Sequence, residues 1–212
     1  MNYFIVPDDI AEFYGEYLTP LENAVKYITE QTQLIGEKCL KESGRNPIEN
    51  IKYRIKSPQS MAEKLKLHGC DVSAENAVSR VHDAAGVRIV TSFLEDIAVV
   101  AALIRKIDGI EITAEKDYIS RPKRNGYRSY HIICRVLIDN INTFAEIQLR
   151  TVNMDTWASI EHRMKYKKIV VDEKLIVEEL KRCADELAAV DLSLQKLFLL
   201  REENLLQPNP TE

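Results

Sequence analysis

RSYHIICRVLI (128–138) and TFAEIQLR (143–150), two β-rich runs parted by the polar turn Asp139–Asn142, decide how this chain is read. In the second run Ala145, Ile147 and Leu149 alternate with Glu146, Gln148 and Arg150. Side chains on a strand point to opposite faces in turn. One face is therefore apolar, and the other carries a carboxylate, an amide and a guanidinium. A solvated sheet surface would show the same alternation. The apolar face needs a cover, and the surrounding sequence offers helices.

Working outward, VRIVTSF (87–93) and IKYRIK (51–56) read as strands, and Asp108-Gly109 turns into a short strand at IEIT (110–113). Ile10 to about Glu42 reads as helical, interrupted near Thr19-Pro20 and closed by Ser43-Gly44. Ser57 as N-cap and Pro58 at the first helical position begin a helix that Gly69 can end. A further helix is expected to run to about Ala85 and stop at Gly86, and an amphipathic one from about Asp96 to Lys106. Residues 115–127 read as a charged loop. A helix carrying Trp157 follows, then one long helix from Asp172 to about Leu200. The predicted class is α/β (α+β), a mixed sheet flanked by helices. It forms a single domain with an N-terminal helical segment (1–45), a core (46–168) and a helical tail (169–212). In the tail, Ile176, Leu180, Cys183, Leu187, Val190, Leu194 and Leu197 keep a 4-3-4-3 spacing, which suits either packing on the chain's own domain or a subunit contact.

The chain has 212 residues, 45% hydrophobic and 29% charged, and a net charge of −4. Such a composition reads as globular, and any bound anion has to be held by a local basic cluster. Cys39, Cys70, Cys134 and Cys183 lie far apart without a C-x-x-C pair, which argues against zinc or a disulfide scaffold. The N-terminus does not read as a signal peptide, and no window approaches a membrane span, so a cytoplasmic location is expected.

Four segments carry chemistry. On a strand, Arg54 and Lys56 share a face; on the next helix Ser60 and Lys64 stand at i, i+4, with Ser60 in the anion-favouring first turn. In HDAAGVRIV (82–90), Asp83 is placed at a helix end, where a carboxylate could hold Mg²⁺ or pair with Arg88. Arg88 could also lie flat on an adenine ring. In DYISRPKRNGYRSYH (117–131), Lys123 and Arg124 stand on a loop before Gly126 and Tyr127, an aromatic that could stack a base beside cations. In AEIQLRT (145–151), Glu146 could be a second Mg²⁺ ligand or accept a proton from an attacking hydroxyl.

These segments, with EIQLRTVNMDTWASIEHRMKYK (146–167), resemble the synthetase domain of the RelA/SpoT family, in the family's order and over about residues 46–168. The short chain is similar to the small alarmone synthetases. The resemblance implies a nucleotidyltransferase-like sheet and a (p)ppGpp synthetase that moves the β,γ-pyrophosphate of ATP to the 3′-hydroxyl of GDP or GTP, releasing AMP. It implies that Arg54 and Arg88 sandwich adenine, that Lys56, Ser60 and Lys64 hold the ATP phosphates, and that Asp83 binds Mg²⁺. Tyr127 would stack guanine, with Lys123 and His131 near the acceptor phosphates. Glu146 would orient or deprotonate the 3′-hydroxyl, and Gln148 would position the acceptor. Asp155, where relatives often have Asn, would accept from the guanine edge. A homotetramer is also implied, with no membrane and no stable nucleic-acid partner. Alternatives are a pyrophosphotransferase acting on tRNA 3′ ends, a non-catalytic nucleotide-binding relative, and an ordinary nucleotidyltransferase. The last is opposed by the lack of a Gly-Ser dipeptide. A phosphohydrolase centred on His82-Asp83 is opposed by the spacing of the remaining histidines.

Overall fold

The apolar half of TFAEIQLR lies at the bottom of the main core. In the computed structural model, which describes residues 8–138, 141–166 and 173–206, that run belongs to β5 (Ile141–Thr151). The sheet also contains β1 (Ile48–Ile55), β2 (Ala85–Thr91), β3 (Ile110–Asp117) and β4 (Tyr130–Ile138). Its order is β1-β2-β5-β4-β3, with β2 and β5 parallel and the other pairs antiparallel. The mixed sheet flanked by helices agrees with the sequence reading.

Val87 and Ile89, Ala145, Ile147 and Leu149, and Ile132, Cys134 and Val136 are buried together. The long helix α2 (Leu18–Ser43) crosses this face, turning Leu21, Ala24, Val25 and Ile28 into it at helical spacing. The helix α5 (Leu94–Ile104) adds Ile97, Val100, Ala101 and Ile104. Each fully buried aliphatic side chain of this kind contributes roughly 1.5–3 kcal/mol. With one face covered by helices, the polar alternates of the strands must face the other way.

Several expected boundaries move. The N-terminal break is not at Thr19-Pro20: α1 (Asp8–Tyr14) ends in a 3₁₀ turn at Gly15–Tyr17, and Pro20 lies in the first turn of α2. Proline is harmless there, because first-turn N–H groups lack a helical acceptor anyway. The helix α3 (Pro58–Leu67) has the expected Ser57 cap, whose side chain accepts from the Ser60 N–H. The next helix, α4 (Ala74–Ser79), ends well short of Ala85, which already pairs in β2 with Ile55 and Ala145. β3 continues to Asp117 through residues expected in a loop. Pairing of Lys116 with His131 and Asp117 with Tyr130 outweighs the polar composition. The expected turn at Asp139–Asn142 lies partly outside the described residues.

Trp157 rides on α6 (Val152–Tyr166) and donates from its indole to the carbonyl of Leu180 on α7 (Glu173–Leu206), at 2.7 Å. Ile176, Leu180, Cys183 and Leu187 pack against Trp157, whereas Val190, Leu194 and Leu197 are exposed. The front half of the tail seam thus belongs to the chain's own core. The far end is held from another side, where the Arg45 guanidinium lies 4.5 Å from the Phe198 ring centroid and pairs with the buried Asp96.

Candidate functional site

The sheet face opposite α2 presents a register row across all five strands: Lys52, Arg88, Gln148, His131 and Lys116. The neighbouring row begins Arg54, Gly86, Glu146. Gly86 leaves a gap between a guanidinium and a carboxylate, floored by a recess of about 60 Å³ that Arg54 and Arg88 line. Beside it opens a cavity of about 690 Å³. Arg54, Lys56, Lys64, Asp83 and Arg88 line one part, Lys116, Tyr118, Lys123, Tyr127, His131, Glu146, Gln148 and Arg150 line another, and α6 adds Ala158, Ser159, Glu161, His162 and Arg163.

Asp83 stands in the turn before β2, not at a helix end. Backbone bonding from Lys56 N–H to the Ala84 carbonyl, 2.9 Å, ties that turn to the end of β1. The buried Tyr14 buttresses the same point, its hydroxyl donating to the Lys56 carbonyl at 2.9 Å. Burial, with the Asp83 charge second, pushes the Tyr14 phenol up, so it remains a donor. Asp83 Oδ2 accepts from Lys56 Nζ at 2.7 Å and Lys64 Nζ at 2.5 Å. Asp83 Oδ1 is buried without a hydrogen-bond partner. Two ammonium groups and a spare carboxylate oxygen on one cavity wall suit polyphosphate and a hard cation.

Glu146 is bound on both oxygens: Oε1 accepts from His131 Nδ1 at 2.9 Å and Oε2 from Gln148 Nε2 at 2.6 Å. Burial alone would raise its pKa. The His131 hydrogen bond and charge, the Gln148 bond and Lys64 outweigh that and bring it down to about 2. It is a fixed anion. His131 continues through Nε2 to the Tyr127 hydroxyl, 2.8 Å, and Arg150 Nη2 donates to that hydroxyl at 2.9 Å and to Gln148 Oε1 at 2.8 Å. Five side chains thus close a ring.

The loop that carries Tyr127 is clamped from outside. Gly126 has φ +89°, and a Cβ there would lie 2.6 Å from Ala184 Cβ on α7. Arg128 donates to the Ala184 carbonyl and pairs with Asp185. Lys123 Nζ lies 4.7 Å from the Tyr118 ring centroid and 4.9 Å from that of Tyr127.

A family description reading "Region found in RelA / SpoT proteins" matches residues 53–170. The chain belongs to the RelA/SpoT family. It is 38% identical over 176 residues to the GTP pyrophosphokinase YwaC of Bacillus subtilis, covering 81% of this chain and 80% of that one. Over 158 residues it is 29% identical to the GTP pyrophosphokinase YjbM of the same organism, covering 73% and 74%. Its fold is similar to small alarmone synthetase 1 from B. subtilis bound to its product pppGpp, with TM-score 0.81 and 26% identity over 90% of this chain and 99% of that one. It is likewise similar to small alarmone synthetase 2 from B. subtilis, with TM-score 0.75 and 35% identity over 89% and 98%.

Within this RelA/SpoT site, ten of the twelve residues that the resemblance gives roles line the cavity: Arg54, Lys56, Lys64, Asp83, Arg88, Lys123, Tyr127, His131, Glu146 and Gln148. Ser60 does not. It is exposed, and its hydroxyl accepts from Ser57 Oγ at 3.1 Å. Asp155 does not line it either. It is 7% exposed, and its carboxylate takes Lys52, Arg88 and Arg150, whose positive charges outweigh burial and lower its pKa. Its carboxylate faces these cations and not the cavity. Sequence reasoning gave no role to Lys116, Tyr118 and Arg150, nor to Ala158, Ser159, Glu161, His162 and Arg163 of α6, which also face the cavity. The alternation with Glu146 and Gln148 already placed Arg150 on that face.

Proposed function

We propose that the chain is a GTP/GDP pyrophosphokinase making (p)ppGpp, with its donor and acceptor subsites at the two ends of the one cavity. The observation that carries the reading is one cavity with two differently built halves, Asp83 paired with the lysines of the first and Glu146 with His131 of the second. Toward β1 and α3 stand Arg54, Arg88, Lys56 and Lys64, suited to an adenine ring and a triphosphate. Toward the 117–131 segment stand Tyr127, Lys123 and His131, suited to a guanine ring and its phosphates.

Between them, the 3′-oxygen of the guanosine nucleotide attacks the β-phosphorus of ATP. A new P–O bond forms, the bond from the β-phosphorus to the oxygen bridging the α-phosphate breaks, and AMP leaves with that electron pair. A carboxylate held near pKa 2 is a weak base. Glu146 therefore orients the hydroxyl as a hydrogen-bond acceptor, and the proton passes on to solvent. Transfer of this kind depends on alignment and charge neutralisation, which the lysines and arginines supply.

Among the described residues, no group of three or more His, Cys, Asp or Glu side chains could hold a metal ion alone. Mg²⁺ commonly needs just one or two carboxylates and completes its shell with substrate phosphates and water. The spare, buried Asp83 Oδ1 fits that demand, and Glu146, whose oxygens accept from His131 and Gln148, would be the second carboxylate. Bound there, Mg²⁺ would neutralise charge on the β- and γ-phosphates. A homotetramer in the cytoplasm belongs to the same proposal. The exposed Val190, Leu194 and Leu197 support a subunit contact, and among the described residues no helix is long and apolar enough to cross a membrane.

The test is incubation with ATP, Mg²⁺ and, separately, GDP, GTP, GMP and deacylated tRNA, followed by product separation. Equimolar AMP and a 3′-pyrophosphorylated guanosine nucleotide are expected from GDP or GTP. Transfer to tRNA alone would move the activity to the other acceptor class, and no transfer to any acceptor would leave a nucleotide-binding protein.

A further inference from the structure

Arg150 is 4% exposed and has no part in the roles assigned so far. Besides holding Tyr127 and Gln148 through Nη2, it donates from Nη1 to Asp155 Oδ1 at 3.2 Å. The same oxygen accepts from Arg88 Nη1 at 3.1 Å, while Lys52 occupies Oδ2. One carboxylate oxygen is thus shared by a guanidinium of the donor half and a guanidinium that holds two acceptor-half groups. Both bonds are longer than the roughly 2.7–2.9 Å usual between full charges. The Nε atoms of both arginines are buried without partners. Burial, then the charge of Arg150, lowers the Arg88 pKa against the opposing pull of Asp155, so the two cations compete.

We propose that Arg150 and Asp155 are positioning residues that couple the two nucleotide subsites, so that bound ATP strengthens binding of the guanosine nucleotide. The proposal rests on the site map above, with adenine against Arg88 and guanine against Tyr127. A nucleotide that engages Arg88 draws it away from Asp155 Oδ1, and the oxygen passes to Arg150. The shortened Arg150–Asp155 pair then holds the Tyr127 hydroxyl and the Gln148 amide in place before the acceptor arrives. Ordering that the acceptor would otherwise have to impose is already complete. Linkage requires the acceptor to strengthen ATP binding by the same factor.

Calorimetric titration decides this. GDP is titrated into the full chain with and without a saturating ATP analogue carrying a methylene between its α- and β-phosphorus atoms, which cannot transfer its pyrophosphate. In the wild type, GDP is expected to bind about 5- to 150-fold more tightly with the analogue present, the usual range for coupled sites, and the reverse titration is expected to give the same factor. Arg150→Gln keeps amide donors but removes the charge. Asp155→Asn keeps a neutral acceptor at Oδ1. Each is expected to bring the factor close to one while still melting cooperatively. A wild-type factor of one, or a factor unchanged in either folded variant, overturns the coupling. Arg88→Ala and Tyr127→Ala keep the two ideas apart. If they fail to weaken the analogue and GDP respectively, the site map is wrong; if they succeed while the factor survives in Arg150→Gln, the coupling alone is wrong.

Discussion

His131 donates from Nδ1 to Glu146 Oε1 at 2.9 Å, a direction set by the ionised carboxylate, which can only accept. Arg150 has no acceptor, so the Tyr127 oxygen must accept from it. The same phenol oxygen lies 2.8 Å from His131 Nε2, so the hydroxyl ties the far side of the imidazole to Arg150. Tyr127→Phe keeps the ring but removes this tie. It is expected to hold GDP affinity within about 3-fold while kcat falls about 10- to 100-fold, as for loss of other supporting hydrogen bonds. Parallel binding and turnover measurements check it. Unchanged turnover would show that the support of His131 by the phenol does not matter.

Asp83→Asn and Glu146→Gln each remove a charge set between the two nucleotides. Each is expected to lower kcat by at least about 100-fold at saturating Mg²⁺. Thermal melts are expected to remain cooperative. Near-wild-type turnover in either variant would remove that residue from the chemistry.

The pH dependence of stability has a definite sign. Glu146 has a folded-state pKa of about 2 against an ordinary 4.5. Its stabilising contribution is therefore fully present above about pH 4.5 and is lost as pH falls from there toward 2. Urea unfolding of wild type and Glu146→Gln between neutral and acid pH is expected to show a constant gap at neutral pH that narrows below that point. A gap that widens on acidification would mean the carboxylate is not held as an anion.

Gly126→Ala probes the clamp between the acceptor loop and α7. The φ of +89° and the 2.6 Å approach to Ala184 leave no room for the added methyl. A cost of about 1–3 kcal/mol in stability is expected, together with weaker GDP binding and little change toward the ATP analogue. Equal weakening of both ligands would indicate general damage to the fold.

The two ends of the tail seam are expected to behave differently. Leu187→Lys puts a charge beside Trp157 and is expected to destabilise the monomer by roughly 2–4 kcal/mol. Leu194→Lys with Leu197→Lys alters side chains that are 42% and 63% exposed, so the melt should stay near wild type. If subunits meet there, sedimentation will give a lower mass for this double variant. An unchanged mass would place the contact elsewhere.

Local chemistry alone determined a good deal of this protein. The Ser57-Pro58 start of α3, the two faces of β5 and the helical stripe of the tail follow from caps and periodicities that act within a few residues. Four short segments in order also made the family legible, and with it most of the residues that line the cavity. What periodicity cannot specify is a partner. It put Glu146, Gln148 and Arg150 on one face, but only the register with β2 and β4 set them beside Arg88 and His131. Pairing across the sheet carried β3 through a stretch that looked like a loop, and it claimed Ala85 for β2 in place of a helix end. Ser60 stayed outside because the helix turned its hydroxyl to Ser57. Asp155 was drawn under the arginines because an inward-facing carboxylate takes the nearest cations, and which cations are nearest is a property of the folded sheet.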